Sequence, residues 1–137
     1  MSSVIVMRGS GTGGSESGVA SIDVPQDGFI LGCWVNHRAE CDSDGDNSIM
    51  QISFGSTYSG VNDTRQVICE SLLHSQLTTS GQVMSSQAYY IDFHNGLPVG
   101  AGERIFMHFN ATAALVSAAN VGLVFSFDEA RARIRRG

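Results

Sequence analysis

Lysine is absent, and all eight cationic side chains are arginine. Charge of either sign is sparse, at 15% of residues against a usual share of about 25%. The balance is acidic, with a net charge of −5. An acidic body with so few cations disfavours a broad nucleic-acid surface, because neutralising phosphates requires clustered Lys or Arg, which only the C-terminal tail offers. Cysteine is limited to Cys33, Cys41 and Cys69, an odd number without a C-x-x-C pair. No disulfide framework is expected, a reducing site of synthesis is the simpler reading, and Cys33 and Cys69 are read as core thiols. No stretch approaches the roughly 18 apolar residues of a membrane span. The opening MSSVIVMRGSGTGG has too short an apolar run, and no basic leader, for a secretory signal.

Uncharged polar residues and glycine fill the space that charge leaves. This composition suits a sandwich or a particle surface better than a helical enzyme. The 137 residues, 42% of them apolar, match one domain, and a chain of this size buries roughly 68% of its unfolded surface.

Period-two alternation carries the fold. A first strand is expected over Ser3–Met7, followed by the Gly/Ser-rich segment Gly9–Gly18 as a flexible arm. Gly18–Val24 alternates, Pro25-Gln26-Asp27-Gly28 makes a turn, and Phe29–His37 resumes with apolar residues on both faces, which marks a central strand. Glu40–Asn47 reads as an acidic loop, Ser48–Phe54 as a strand and Gly55–Thr64 as a polar loop. Over 64–76 a short helix competes with a strand: Asp63 and Gln66 have cap spacing, and Ile68 and Leu72 form an i,i+4 pair. The neighbouring strands favour a strand there. Ser86–Phe93, Arg104–Asn110 and Asn120–Phe127 alternate, with a turn at His94-Asn95-Gly96. About eight strands with no βαβ rhythm predict an all-β, antiparallel, jelly-roll-like sandwich. The expected layout is an N-terminal strand and arm over 1–17, the sandwich over 18–127 and an Arg-rich tail over 128–137.

Motifs for chemistry fall short. Asp42, Asp44 and Asp46 alternate as oxygen ligands for a hard cation would, but Gly45 is fourth rather than sixth and Ser53 occupies position twelve. The calcium-loop pattern fails, and a solvated acidic loop is the plainer reading. His37, His74, His94 and His108 have no ligand spacing. There is no G-x-S-x-G elbow, and Gly11-Thr12-Gly13-Gly14 lacks the lysine of a phosphate loop. No enzyme activity and no cofactor are expected. Trp34, Tyr58, Tyr89 and Tyr90 offer an alternative, stacking against sugar rings, although Tyr89 and Tyr90 point to opposite faces.

The last ten residues switch from acidic Asp128-Glu129 to Arg131, Arg133, Arg135 and Arg136. Without these four arginines the remaining charge is 4 − 13 = −9. Guanidinium forks bind carboxylates bidentately, so the tail is expected to dock on acidic neighbouring subunits. The segment Leu97-Pro98-Val99-Gly100-Ala101-Gly102-Glu103-Arg104-Ile105-Phe106, with Phe125-Ser126-Phe127 near the end, resembles small β-sandwich virion proteins of tailed phages. That resemblance implies a capsid decoration or cement subunit, made in the host cytoplasm and carried on the virion. Its implied partners are the major capsid protein and copies of itself, in a trimer or other symmetric cluster, with no membrane or nucleic acid. A carbohydrate- or receptor-binding sandwich is the alternative.

Overall fold

A computed structural model describes residues 2–12, 17–41, 47–54, 66–74, 83–111 and 116–127. They form eight strands: β1 (Ser2–Thr12), β2 (Ser17–Asp23), β3 (Gly28–Cys41), β4 (Asn47–Phe54), β5 (Gln66–His74), β6 (Val83–Val99), β7 (Arg104–Ala111) and β8 (Val116–Ser126). Pairing is nested: β1 with β8, β2 with β7, β3 with β6 and β4 with β5, all antiparallel. The first half of the chain thus runs back along the second like one long hairpin. Two further pairings, β3 with β8 and β4 with β7, fold that hairpin into four-stranded sheets of order β1-β8-β3-β6 and β2-β7-β4-β5. This is the wiring of a jelly roll, on the eight-stranded sandwich that the alternation predicts.

One face of each sheet supplies the core. Met50 and Ile52 of β4, Ile105, Met107 and Phe109 of β7, and Val121, Leu123 and Phe125 of β8 meet between the layers, all buried. β3 lies between β8 and β6, the central position that its two apolar faces predict. A bulge between Ile30 and Gly32 lets it bury both faces. Opposite β8, Leu31 is the extra residue, because Ile30 pairs with Phe125 and Gly32 with Val124. The bulge flips the alternation, so that Ile30 enters the core before it and Cys33 and Val35 after it.

Two local expectations are corrected, and one open choice is settled. Gly9–Thr12, read as the start of a flexible arm, is strand paired with Ala119–Val116; fixed pairing outweighs glycine's conformational freedom. Residues 13–16 lie outside the described residues. The strand favoured over 64–76 is present at Gln66–His74, which gives its backbone groups to β4 and leaves none for the competing helix; residues 64–65 and 75–76 lie outside the described residues. His94-Asn95-Gly96 does not separate two strands. It is a bulge inside β6, between Asp92, which pairs with Gly32, and Leu97, which pairs with Ile30. Its turn chemistry is real: the His94 N–H donates to Asp92 Oδ1 at 3.0 Å. Gly96 has φ 83°, and a Cβ there would sit 2.9 Å from that of Phe29, so this position requires glycine.

At one end of the sandwich the β6–β7 turn is tied to the β2–β3 connection. Gly102 N–H donates to Val24 O and Val24 N–H to Glu103 O, each at 2.8 Å. Ala101 N–H donates to Asp27 Oδ1 at 2.9 Å.

Candidate functional site

The most reactive-looking group of side chains lies inside the sandwich. His37 on β3 falls on the inward parity of Cys33, Val35 and Ala39, and its exposure is 0%. Its Nδ1 lies 2.9 Å from Ser71 Oγ on β5, and its Nε2 lies 3.1 Å from Ser48 Oγ on β4. Ser48 Oγ is 2.6 Å from Ser117 Oγ on β8, and Ser71 Oγ donates to Gln87 Oε1 on β6 at 2.8 Å. The network therefore bolts one sheet to the other. Burial of the imidazole lowers its pKa from 6.5 to about 4, and the Phe109 ring packs beside it, with centroids 5.8 Å apart. A neutral, fully partnered histidine with no solvent access orders a core.

Cys33 and Cys69 face each other between the sheets as free, buried thiols. The hydrogen bond to Cys33, reinforced by burial, pushes the Cys69 thiol well above its ordinary pKa and keeps it protonated. Tyr89, on the inward side of β6, donates its hydroxyl to the Glu70 carbonyl. Burial pushes its pKa up to about 12.

The outer faces are the accessible ground. On the β1-β8-β3-β6 sheet, the register places Val6, Gly122, Trp34 and Tyr90 in one cross-strand row. A Cβ on Gly122 would fall among the indole atoms of Trp34, so that ring lies over the Gly122 backbone. Trp34 and Tyr90 are 36% and 57% exposed, and Val4 on the same face is 55% exposed. The adjoining rows run Arg8, Asn120, Asn36, Ala88 and Ser10, Ala118, Arg38, Ser86. Arg8, Ser10, Asn36, Arg38 and Asn120 line a pocket of about 520 Å³. On the other sheet, Val67 and Leu72 of edge strand β5 are 48% and 54% exposed.

The residues singled out from sequence fall unevenly on this geometry. Asp42, Asp44 and Asp46, the tail residues Arg131, Arg133, Arg135 and Arg136, and Tyr58 lie outside the described residues. Tyr89 and Tyr90 do take opposite faces. His108 is buried, whereas His74 and His94 are exposed. Among the described residues, no three His, Cys, Asp or Glu side chains converge as metal ligands, and no helix is long and apolar enough to cross a membrane. Sequence reasoning passed over His37 as an interior residue and Arg8 and Arg38 as a pair. The parity of β3 reveals the first, but strand order is needed for the second.

No protein-family model and no curated protein matches the chain. Among solved structures it is similar to Eiger TNF from S. frugiperda, at 13% identity and a TM-score of 0.46 over 88% of this chain and 91% of that one. It is also similar to the VP2 subviral particle of infectious bursal disease virus, at 12% identity and a TM-score of 0.48 over 96% of this chain. The Gx strain of that virus gives 13% identity and a TM-score of 0.44 over 94% of this chain. The chain spans about a third of the length of these viral proteins, 34% in both cases. At such identities the likeness extends to the fold alone.

Proposed function

We propose that the chain is a virion structural protein, a jelly-roll subunit that decorates or cements a capsid and acts by contact rather than catalysis. The observation that carries this reading is that both outer sheet faces present large apolar side chains to solvent: Val4, Trp34 and Tyr90 on one, Val67 and Leu72 on the other. A subunit wedged between neighbours needs adhesive surface on more than one side. The His37 imidazole, by contrast, is buried with both ring nitrogens engaged by serine hydroxyls. In this reading Val67 and Leu72 on edge strand β5 meet the major capsid protein or another copy of the chain. The tail residues Arg131, Arg133, Arg135 and Arg136 add charge-assisted contacts to acidic neighbours. Many weak symmetric contacts then sum through effective concentration.

Co-sedimentation with capsids stripped of this protein tests the proposal. The wild-type chain should pellet with the particles at saturable occupancy. Val67→Asp with Leu72→Asp should reduce that occupancy while leaving the circular dichroism spectrum unchanged, and removal of residues 131–137 should weaken it further. A chain that stays in the supernatant at every concentration overturns the reading.

A further inference from the structure

Beyond that role, we infer that the pocket between Arg8 and Arg38 is a binding site for the carboxylate of an acidic saccharide, with Trp34 as the platform for an adjoining sugar ring. The register sets the geometry. Arg8 on β1 and Arg38 on β3 flank β8 diagonally across the Asn36–Asn120 row and the Ala118 row. Their backbones stand two strand spacings apart across the sheet and two residues apart along it, about 12 Å in all, and Ala118 on the intervening strand leaves the ground between them low. Among the described residues the side chains of Arg8, Arg38, Asn36 and Asn120 make no hydrogen bond or ion pair with one another or with anything else. Two guanidinium forks without a carboxylate, on a chain of net charge −5, are a cationic spot on an acidic molecule. The complementary ligand is a carboxylate, which such forks grip bidentately.

The other side chains choose the class of ligand. Asn36 and Asn120 each offer donors and an acceptor, which suits hydroxyl groups beside the carboxylate and not a carboxylate alone. Trp34 stands two residues before Asn36, on the same face and over Gly122. A sugar ring laid on that indole places the next ring over the amide pair. The pocket volume of about 520 Å³ lies in the range of small-ligand sites, about 300–1,000 Å³. An acidic peptide fits less well. The pocket floor is β8, paired on both sides by β1 and β3, and β3, paired by β8 and β6, so only the outer edge of β1, at the pocket rim, has backbone groups left to add a strand. Recognition over the floor is left to side chains and favours a compact, hydroxyl-rich ligand.

Calorimetric titration of the full chain separates the outcomes. The probes are galacturonate, glucuronate and sialic-acid-terminated oligosaccharides, each with its neutral methyl-ester counterpart, and a hexaglutamate peptide. At least one acidic saccharide should bind about tenfold or more tighter than its neutral counterpart, the loss expected for one charge-assisted pair. Arg8→Gln with Arg38→Gln should erase that difference at an unchanged melting temperature. Trp34→Ala should weaken acid and ester alike. No preference for any acid over its ester overturns the site. Binding of hexaglutamate as tight as the best saccharide, and lost in the double variant, overturns the saccharide assignment in favour of a protein ligand. Both results are independent of whether the chain pellets with capsids.

Discussion

Acidification should loosen the sandwich through one side chain. His37 has a folded pKa of about 4 against an ordinary 6.5, so between those values the unfolded chain takes up a proton that the folded chain refuses. Stability from this group is complete above pH 6.5, declines as pH falls, and stops changing below about 4. With those two values the linkage amounts to about 2 kcal/mol between pH 7 and pH 5, and about 3 kcal/mol by pH 4. The structural cause is direct. Protonated imidazole has two donors and no acceptor, and it sits at 0% exposure among Ser48, Ser71 and Phe109, with no carboxylate partner among the described residues. At about 3 °C per kcal/mol for a domain of this size, the melting temperature should fall by about 6 °C from pH 7 to pH 5 on account of His37. The assay is thermal unfolding at both pH values for the wild type and for His37→Gln, which keeps hydrogen-bonding capacity and removes the titration. The wild type should lose about 6 °C more than the variant. An imidazole nitrogen NMR titration of the wild type supplies a second reading if the variant folds poorly. Equal losses in both proteins, or an imidazole that protonates near 6.5, refute the reasoning.

Phe125 is fully buried on β8 and stacks on Phe127 with centroids 5.2 Å apart, so Phe125→Ala should cost about 3–5 kcal/mol in urea unfolding. Gly122→Ala should drive the Trp34 indole off the sheet and destabilise by about 1–3 kcal/mol. Because Trp34 is the sole tryptophan, a red-shifted emission reads its displacement directly. Cys33 and Cys69 are buried free thiols; mass-spectrometric mapping after iodoacetamide treatment should find both unmodified in the native protein and modified in urea.

The strands were legible because inward and outward environments alternate along most of β4, β7 and β8 and along β3 beyond its bulge, and residue hydrophobicity follows. Legibility stopped where the ladder breaks step. Ile68 and Leu72 look like a helical pair, yet the irregularity between Ile52 and Ser53 leaves Ile68 without a partner on β4, and it is buried while Leu72 is exposed. A bulge of this kind is set by the neighbouring strand, which local sequence does not contain. Gly9–Thr12 failed for the same reason, because composition reports the freedom of an isolated segment and not the partner that removes it. Of the candidate sites, His37 was implicit in the parity of Cys33, Val35 and Ala39. The Arg8–Arg38 pocket was not, because its members are brought together only by β8, the last strand, inserting between β1 and β3.

The nested ladder has a kinetic consequence. Of the paired strands only β4 and β5 follow one another in the chain; each enclosing pair closes a longer loop, up to Ser2 against Ser126. Loop-closure entropy therefore ranks the steps, and assembly proceeds from the inner hairpin outward. Refolding belongs to the slow, high-contact-order regime, with β1 zipping onto β8 at the end. The surface that carries Arg8 exists only once that final strand is in place, so ligand capture on this face reports completed folding.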